Sequence, residues 1–261
     1  MQLIVTRPQH QSLSWLETLS QQGVNAMALP LIEIGAALSA APVTQAWHDI
    51  DGYRVVMFVS ANAAQRFFAA RPSSAEWPAR TRAASTGPGT TAALIASGLS
   101  AGQVVQPDPL AARFDSEALW SILSNEEWQG ARVLVVRGDD GRDWLGERWR
   151  ERGAAVQFVS AYRRQLPQWS ENEHRLCDQA IATPHQVIWL FSSSEAVANL
   201  QMLRPAANWG ASMALVTHQR IAQAARSVGF AQVQIVAPLA REIADALKQI
   251  TQQRSVQSAR L

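Results

Sequence analysis

Residues 83–98 read Ala83-Ala84-Ser85-Thr86-Gly87-Pro88-Gly89-Thr90-Thr91-Ala92-Ala93-Leu94-Ile95-Ala96-Ser97-Gly98, and their interpretation decides the fold. Ala83-Ala84 closes a strand, Gly87-Pro88-Gly89 makes a tight turn, and a helix follows. In this reading Gly87 and Gly89 take backbone angles that a Cβ would forbid. Pro88 suits the turn, Thr90 or Thr91 caps the helix, and Gly98 stops it. A strand–turn–helix of this kind aims free N–H groups and the positive end of a helix at one spot, which suits an anion. Glycine turns before helices are common in α/β proteins, so the weight falls on a second, degraded copy further along the chain.

Working outward, Val55-Val56-Met57-Phe58-Val59-Ser60 is a fully apolar strand, as in a sheet covered on both faces. Residues 61–70 are its helix. Beyond Gly98 come a strand at 103–106 and a helix at 116–123, with Ser116 as its cap. The chain opens with a β-branched strand, 2–7, and a helix over 12–22 that carries Leu13, Leu16 and Leu19 at helical spacing and stops at Gly23. Residues 25–34 read as one strand bent at Pro30, completing a β-α-β unit with parallel strands. Later strands fall at 132–137, 155–162, 187–191, 213–216 and 233–236, with helices at 143–152, 195–203, 219–228 and 243–250. Segments 35–54 and 165–186 are linkers, the second with a helix near 171–180. The polar stretch 251–261 is expected to fray.

A repeat is hidden in this order. Leu3-Ile4-Val5-Thr6-Arg7-Pro8 lies 130 positions before Val133-Leu134-Val135-Val136-Arg137-Gly138, and Gly23 lies 130 before Gly153. Phe58-Val59-Ser60 matches Leu190-Phe191-Ser192 at an offset of 132, and Gly98 and Gly229 differ by 131. The chain is therefore A-B-A-B, each A a β-α-β unit and each B three strands with their helices. One A and one B give five parallel strands, enough for a doubly wound, flavodoxin-like sheet with helices on both faces. Two such lobes fit 261 residues. Periodicity allows tandem lobes, 1–125 and 126–261, or a swapped arrangement in which the chain crosses twice and leaves a two-strand hinge.

Composition narrows the class. Apolar residues make up 48%, enough for a substantial core. No apolar run approaches a membrane span and the opening strand lacks a signal peptide's apolar region, so a soluble cytoplasmic protein with no membrane partner is expected. Cys177 is the only cysteine, which excludes an internal disulfide and a cysteine-based metal cluster. Lys248 is the only lysine among 23 basic residues. The arginines suit carboxylate or phosphate, although codon bias is the plainer source of the excess and needs no functional cause. No basic run interleaved with aromatics points to nucleic acid.

Together, Thr6-Arg7-Pro8, Ser60 with Ala61-Asn62-Ala63, the Gly87-x-x-x-Thr91-Ala92 turn, the Arg137-Gly138-x-x-Gly141-Arg142 turn and the strand end Ala161-Tyr162 resemble the uroporphyrinogen-III synthase family. The resemblance extends to about residue 250. It implies the swapped arrangement, one lobe from 1–35 plus 166–261 and the other from 36–165. It also implies a monomer, with no cofactor or metal. The implied substrate is hydroxymethylbilane, a linear tetrapyrrole with eight carboxylates that is cyclised with loss of water and inversion of its last ring through a spiro intermediate. A transient hand-over from the enzyme that makes the bilane is a further expected partnership. Such chemistry is largely positioning, and a cleft presenting strand ends is the expected place for it.

On this reading Tyr162 is the candidate catalytic group, its hydroxyl assisting departure of the substrate hydroxyl; a core-edge anchor is the plainer role. Ser60, Ser192, Thr90 and Thr91 are candidate carboxylate donors, with turn and cap chemistry as the alternative. Arg7 and Arg137 follow matched strands and could clamp charge or form structural ion pairs. The second turn, Val216-Thr217-His218-Gln219-Arg220-Ile221-Ala222, has lost the glycines and the threonine before the alanine, so if it binds a carboxylate, Arg220 or Gln219 must replace the missing donor. Asp139 and Asp140 suit a helix start better than a metal, and the five histidines show no ligand spacing. Two other classes stay open: a non-catalytic binder of an anionic small molecule, and a nucleotide-dependent transferase. The latter lacks a Walker or Gly-x-Gly-x-x-Gly fingerprint.

Overall fold

Parallel hydrogen bonding between strands distant in sequence sets the architecture. The computed structural model describes residues 1–108, 114–139 and 143–258, with side chains to 253. In chain order the elements are β1 (Gln2–Val5), α1 (Gln9–Gln21), β2 (Ala26–Ala28), β3 (Glu33–Ala36), α2 (Ala41–His48), β4 (Val55–Phe58), α3 (Ala61–Ala69), β5 (Arg82–Ser85), α4 (Pro88–Ala96), β6 (Val104–Val105) and α5 (Ser116–Leu123). They continue with β7 (Arg132–Gly138), α6 (Trp144–Glu151), β8 (Ala155–Gln165), α7 (Glu171–Ala182), β9 (Val187–Phe191), α8 (Ser194–Leu203), β10 (Met213–Val216), α9 (Gln219–Ser227), β11 (Gln232–Ile235) and α10 (Ala240–Ser258). The chain divides into two compact units, one of Met1–Glu33 with Gln165–Leu261 and one of Ile34–Arg164.

The first unit holds a five-stranded sheet in the order β2-β1-β9-β10-β11. Its pairs are all parallel, with Val5 opposite both Ala28 and Leu190, and Val216 opposite Phe191 and Ile235. Alternation along the strands divides the core. Leu3, Val5, Ile188, Leu190 and Leu215 pack with Leu19 of α1 and Ile243 and Ile250 of α10. The other phase carries Trp189 and Phe191, whose rings stack at 6.1 Å and meet Trp209 and Phe230 edge-on. Numbered along this unit the strand order is 2-1-3-4-5, the doubly wound order whose ligand crevice opens where the order reverses, here between β1 and β9.

The second unit holds six strands in the order β3-β8-β7-β4-β5-β6. The expectation of two five-stranded sheets is therefore corrected, because 25–34 is not one strand. Pro30 cannot donate to a ladder and ends β2. The chain resumes as β3, which pairs beside the long β8. Val55 and Met57 lie in a cluster with α5 and α6 residues, whereas Val56 and Phe58 lie in a cluster with α2, α3 and α4 residues. Helices thus cover both faces, which is why β4 is apolar throughout. The reversal of strand order falls between β4 and β7.

The helix stops Gly23, Gly98, Gly153 and Gly229 all have positive φ, from 74° to 110°, so each repeat pair preserves a left-handed stop that a Cβ would strain. Gly87 and Gly89 differ from expectation. Gly87 has φ −171° and ψ 166°, extended backbone open to any residue, and neither has positive φ. His218, its counterpart, has φ −159° and ψ 151°. The second turn thus lost its glycine without losing its geometry. Neither threonine caps α4, whose N-cap is Gly87 with no side-chain bond. Asp115, not Ser116, caps α5, its carboxylate accepting from Ala118 N–H at 2.9 Å. α10 extends through Ser258, and no Gly or Pro interrupts 251–258. Residues 259–261 lie outside the described residues.

No described helix is long and apolar enough to cross a membrane. Cys177 of α7 is fully buried, and burial raises its thiol to about pKa 11. The native thiol should resist a disulfide reagent at pH 8 and react stoichiometrically on unfolding. A thiol whose folded pKa lies above its unfolded value stabilises the fold below the unfolded pKa of about 9, and that contribution is lost as pH rises toward 11. Native-state labelling at the rate of a free thiol would contradict this burial.

Candidate functional site

Parallel pairing brings the carboxyl ends of neighbouring strands to one edge, where the following helices begin. In the second unit this edge carries Ser60, Thr86, Arg137 and Gly138. Ser60 is the N-cap of α3, its Oγ accepting from Ala63 N–H at 3.2 Å. The same Oγ lies 3.2 Å from Tyr162 Oη. Two hydroxyls share one bond between them, so whichever donates, one hydroxyl hydrogen is left over for a further acceptor.

Tyr162 reaches this place through a bulge. Arg137 pairs with Ser160, but Gly138 pairs with Tyr162, so β8 carries an extra residue at Ala161. Simple alternation would put Ala161 and Tyr162 on opposite faces. The bulge puts both in the cluster of Phe58, Leu134 and Val136. Tyr162 is only 2% exposed.

Arg137 pairs with Asp143 and lies over the Phe158 ring, 4.5 Å from its centroid. It also lines a cavity of about 300 Å³ with Met57, Val59, Thr86, Asp115 and Trp144, beside the β4–β7 reversal. Residues 140–142 of this turn, including Asp140, Gly141 and Arg142, lie outside the described residues. A larger cavity, about 460 Å³, lies at the opposite edge of the first unit's sheet, near Gln2, Asn25 and Val187. Volume alone does not locate the site, because strand carboxyl ends are where open α/β sheets bind ligands.

Thr90 and Thr91 are both buried. The Thr91 hydroxyl sits in an internal relay, 2.7 Å from Ser85 Oγ and donating to Gln106 Oε1 at 2.6 Å. No side chain caps α4 ahead of them, so the helix start offers backbone N–H groups.

In the first unit the corresponding edge carries Arg7, Ser192 to Ser194, and His218 to Arg220. Arg7 follows β1 and stacks over Trp15 at 4.3 Å. Its Nε is buried with no hydrogen-bond partner, and no carboxylate pairs with it among the described residues. Burial lowers its pKa below the ordinary arginine value. Ser192 is half-buried and caps nothing. The structural counterpart of Ser60 is Ser193, the N-cap of α8, which accepts from Glu195 N–H at 3.2 Å. Ser194 Oγ is buried without a hydrogen-bond partner. Sequence reasoning missed both. The run Ser192-Ser193-Ser194 held the signal, but aligning strands instead of caps chose its first member. His218 caps α9, Nδ1 accepting from Arg220 N–H at 3.1 Å, and the exposed Arg220 side chain extends from the first turn.

A family model described as uroporphyrinogen-III synthase HemD matches residues 14–241. The chain belongs to the uroporphyrinogen-III synthase family. A uroporphyrinogen-III synthase of Salmonella typhimurium is 26% identical over 242 residues, 90% of this chain and 94% of that one. The Escherichia coli protein of the same name is 28% identical over 153 residues, 56% and 59% of the two chains. Among solved structures, a mutant uroporphyrinogen III synthase of Thermus thermophilus superposes with TM-score 0.59 at 16% identity, covering 97% of this chain and 99% of that one. The Helicobacter pylori uroporphyrinogen-III synthetase gives 0.56 at 16% identity, covering 95% and 100%. These structures agree in fold. The uroporphyrinogen-III synthase match does not favour the non-catalytic binder or the nucleotide-dependent transferase.

The relay through Thr91 yields a stability test. Thr91→Val keeps the shape and strands Ser85 and Gln106, so urea unfolding should show a loss of about 1–2 kcal/mol. An unchanged midpoint would contradict the relay.

Proposed function

We propose that this chain cyclises hydroxymethylbilane to uroporphyrinogen III, with loss of water and inversion of the terminal pyrrole ring through a spiro intermediate. The observation that supports this most is the Ser60–Tyr162 hydroxyl pair at 3.2 Å, at a strand end, with one hydrogen to spare. In this reading the bilane's carboxylates are held at strand-end edges. Arg7 supplies a cation without an ion-pair partner among the described residues, Ser192 and Arg220 follow other strands of the same sheet, and Thr90 and Thr91 stand in the open first turn of α4. Arg137, already paired with Asp143, contributes charge shared with that carboxylate. Tyr162 or its partner Ser60 donates the spare hydrogen to the departing hydroxyl; water leaves, the lone pair of the adjoining pyrrole nitrogen stabilises the exocyclic methylene carbon left behind, and the substituted position of the terminal pyrrole attacks that methylene. Held geometry selects the substituted position over the unsubstituted one, which free substrate would use.

The same proposal takes the chain to act as a cofactor-free cytoplasmic monomer, to receive the unstable bilane by transient hand-over, and to hinge on the two chain crossings near β3 and β8. These neighbouring strands flank the boundary between units and support that reading.

The test is an isomer-resolved assay on hydroxymethylbilane. Type III product should dominate in proportion to protein added, and type I product at the uncatalysed rate would sink the proposal. Tyr162→Phe should lower kcat at least about tenfold, the scale of a lost proton donor, and stability by only about 1 kcal/mol. Undiminished kcat would remove Tyr162 from the mechanism.

A further inference from the structure

Gly138 ends β7, and nothing in its backbone demands glycine. The positive-φ glycines among the described residues are Gly23, Gly98, Gly130, Gly153 and Gly229. What Gly138 provides is space. A Cβ at this position would lie 3.1 Å from both Cε2 and Cζ of Tyr162 and 3.4 Å from its hydroxyl oxygen. Those distances are tighter than ordinary carbon contact, and they fall on the end of the ring that carries the hydroxyl. The ring has little room to yield, being 2% exposed and packed in the cluster of Phe58, Leu134, Val136 and Val159.

The surroundings fix Tyr162 from two further sides. Asp139 N–H donates to Tyr162 O at 3.1 Å, holding the bulged backbone against the end of β7. Ser60 Oγ holds the hydroxyl at 3.2 Å. The ring plane therefore rests on bare backbone at Gly138, while its hydroxyl is tethered to a helix cap. We propose that Gly138 is a positioning residue, whose missing side chain sets where the Tyr162 hydroxyl sits. This rests on reading Tyr162 as the group that meets the departing substrate hydroxyl. A methyl group at 138 displaces the phenol by a few tenths of an ångström without touching substrate.

A double-mutant cycle tests it. Gly138→Ala should lower kcat about 5- to 10-fold and leave KM within about twofold, as expected when a reacting group is misplaced by less than an ångström. In a Tyr162→Phe background, where no hydroxyl remains to misplace, the same substitution should change kcat by less than about twofold. Equal fold losses in both backgrounds would overturn the proposal. A second readout does not depend on activity. Tyr53 and Tyr162 are the only tyrosines, so 3-fluorotyrosine labelling gives two fluorine resonances, assigned with Tyr53→Phe. Gly138→Ala should move the Tyr162 resonance and leave that of Tyr53; an unmoved Tyr162 resonance would contradict the contact. If Tyr162→Phe alone keeps full kcat, the catalytic reading of Tyr162 falls, and the fluorine shift alone then decides whether Gly138 places the ring. Should Gly138→Ala fail to fold, adding Tyr162→Leu should restore folded protein, because the ring is the obstacle. No recovery would overturn the proposal.

Discussion

Two strand pairings carry the structure: β1 against β9 in one unit and β4 against β7 in the other. Each joins segments far apart in sequence, and each is where strand order reverses. At that point the chain leaves toward opposite faces of the sheet, so a crevice opens without any residue dedicated to making it. Parallel pairing then sends Arg7, Ser193 and His218 to one edge of the first sheet, and Ser60, Thr86 and Gly138 to one edge of the second. Without these pairings the same side chains would lie on unrelated surfaces.

The two edges differ in kind. The first unit has an arginine partly withdrawn from water with no carboxylate paired to it among the described residues. The second has a hydroxyl pair and an arginine already neutralised by Asp143. On the proposed reading, one edge offers charge and the other a proton donor. That division suits a polycarboxylate whose reaction needs little more than one departing hydroxyl and a held conformation. It also gives physical content to the drifted second turn: His218 caps α9 with its own ring, whereas Gly87 leaves the start of α4 open.

Much of this was legible in the sequence, for a physical reason. Helix stops need positive φ, so Gly23, Gly98, Gly153 and Gly229 mark their helices at intervals that reveal the repeat. Doubly covered strands are apolar throughout, so β4 and β9 announced themselves. What stayed hidden depends on contacts rather than local preference. Gly87 looked like a conformational glycine but is extended. The bulge at Ala161, which turns Tyr162 to the face of Phe58, breaks the very alternation from which strand faces are read. Ser193 was passed over because helix caps and strand ends drift by one residue between the repeats. Periodicity was also silent on which β-α-β unit joins which three strands; the hydrogen bonds of β1 to β9 answer that.

The central claim is that these edges hold carboxylates and that catalysis is chiefly holding. Arg7 is its sharpest point, since a partly desolvated cation with no ion-pair partner among the described residues gains most from an anion. Steady-state kinetics of Arg7→Gln on hydroxymethylbilane test it most directly. The account predicts KM raised at least about tenfold, the loss of one charge-assisted contact, with kcat and the type III product largely kept. An unchanged KM would contradict it.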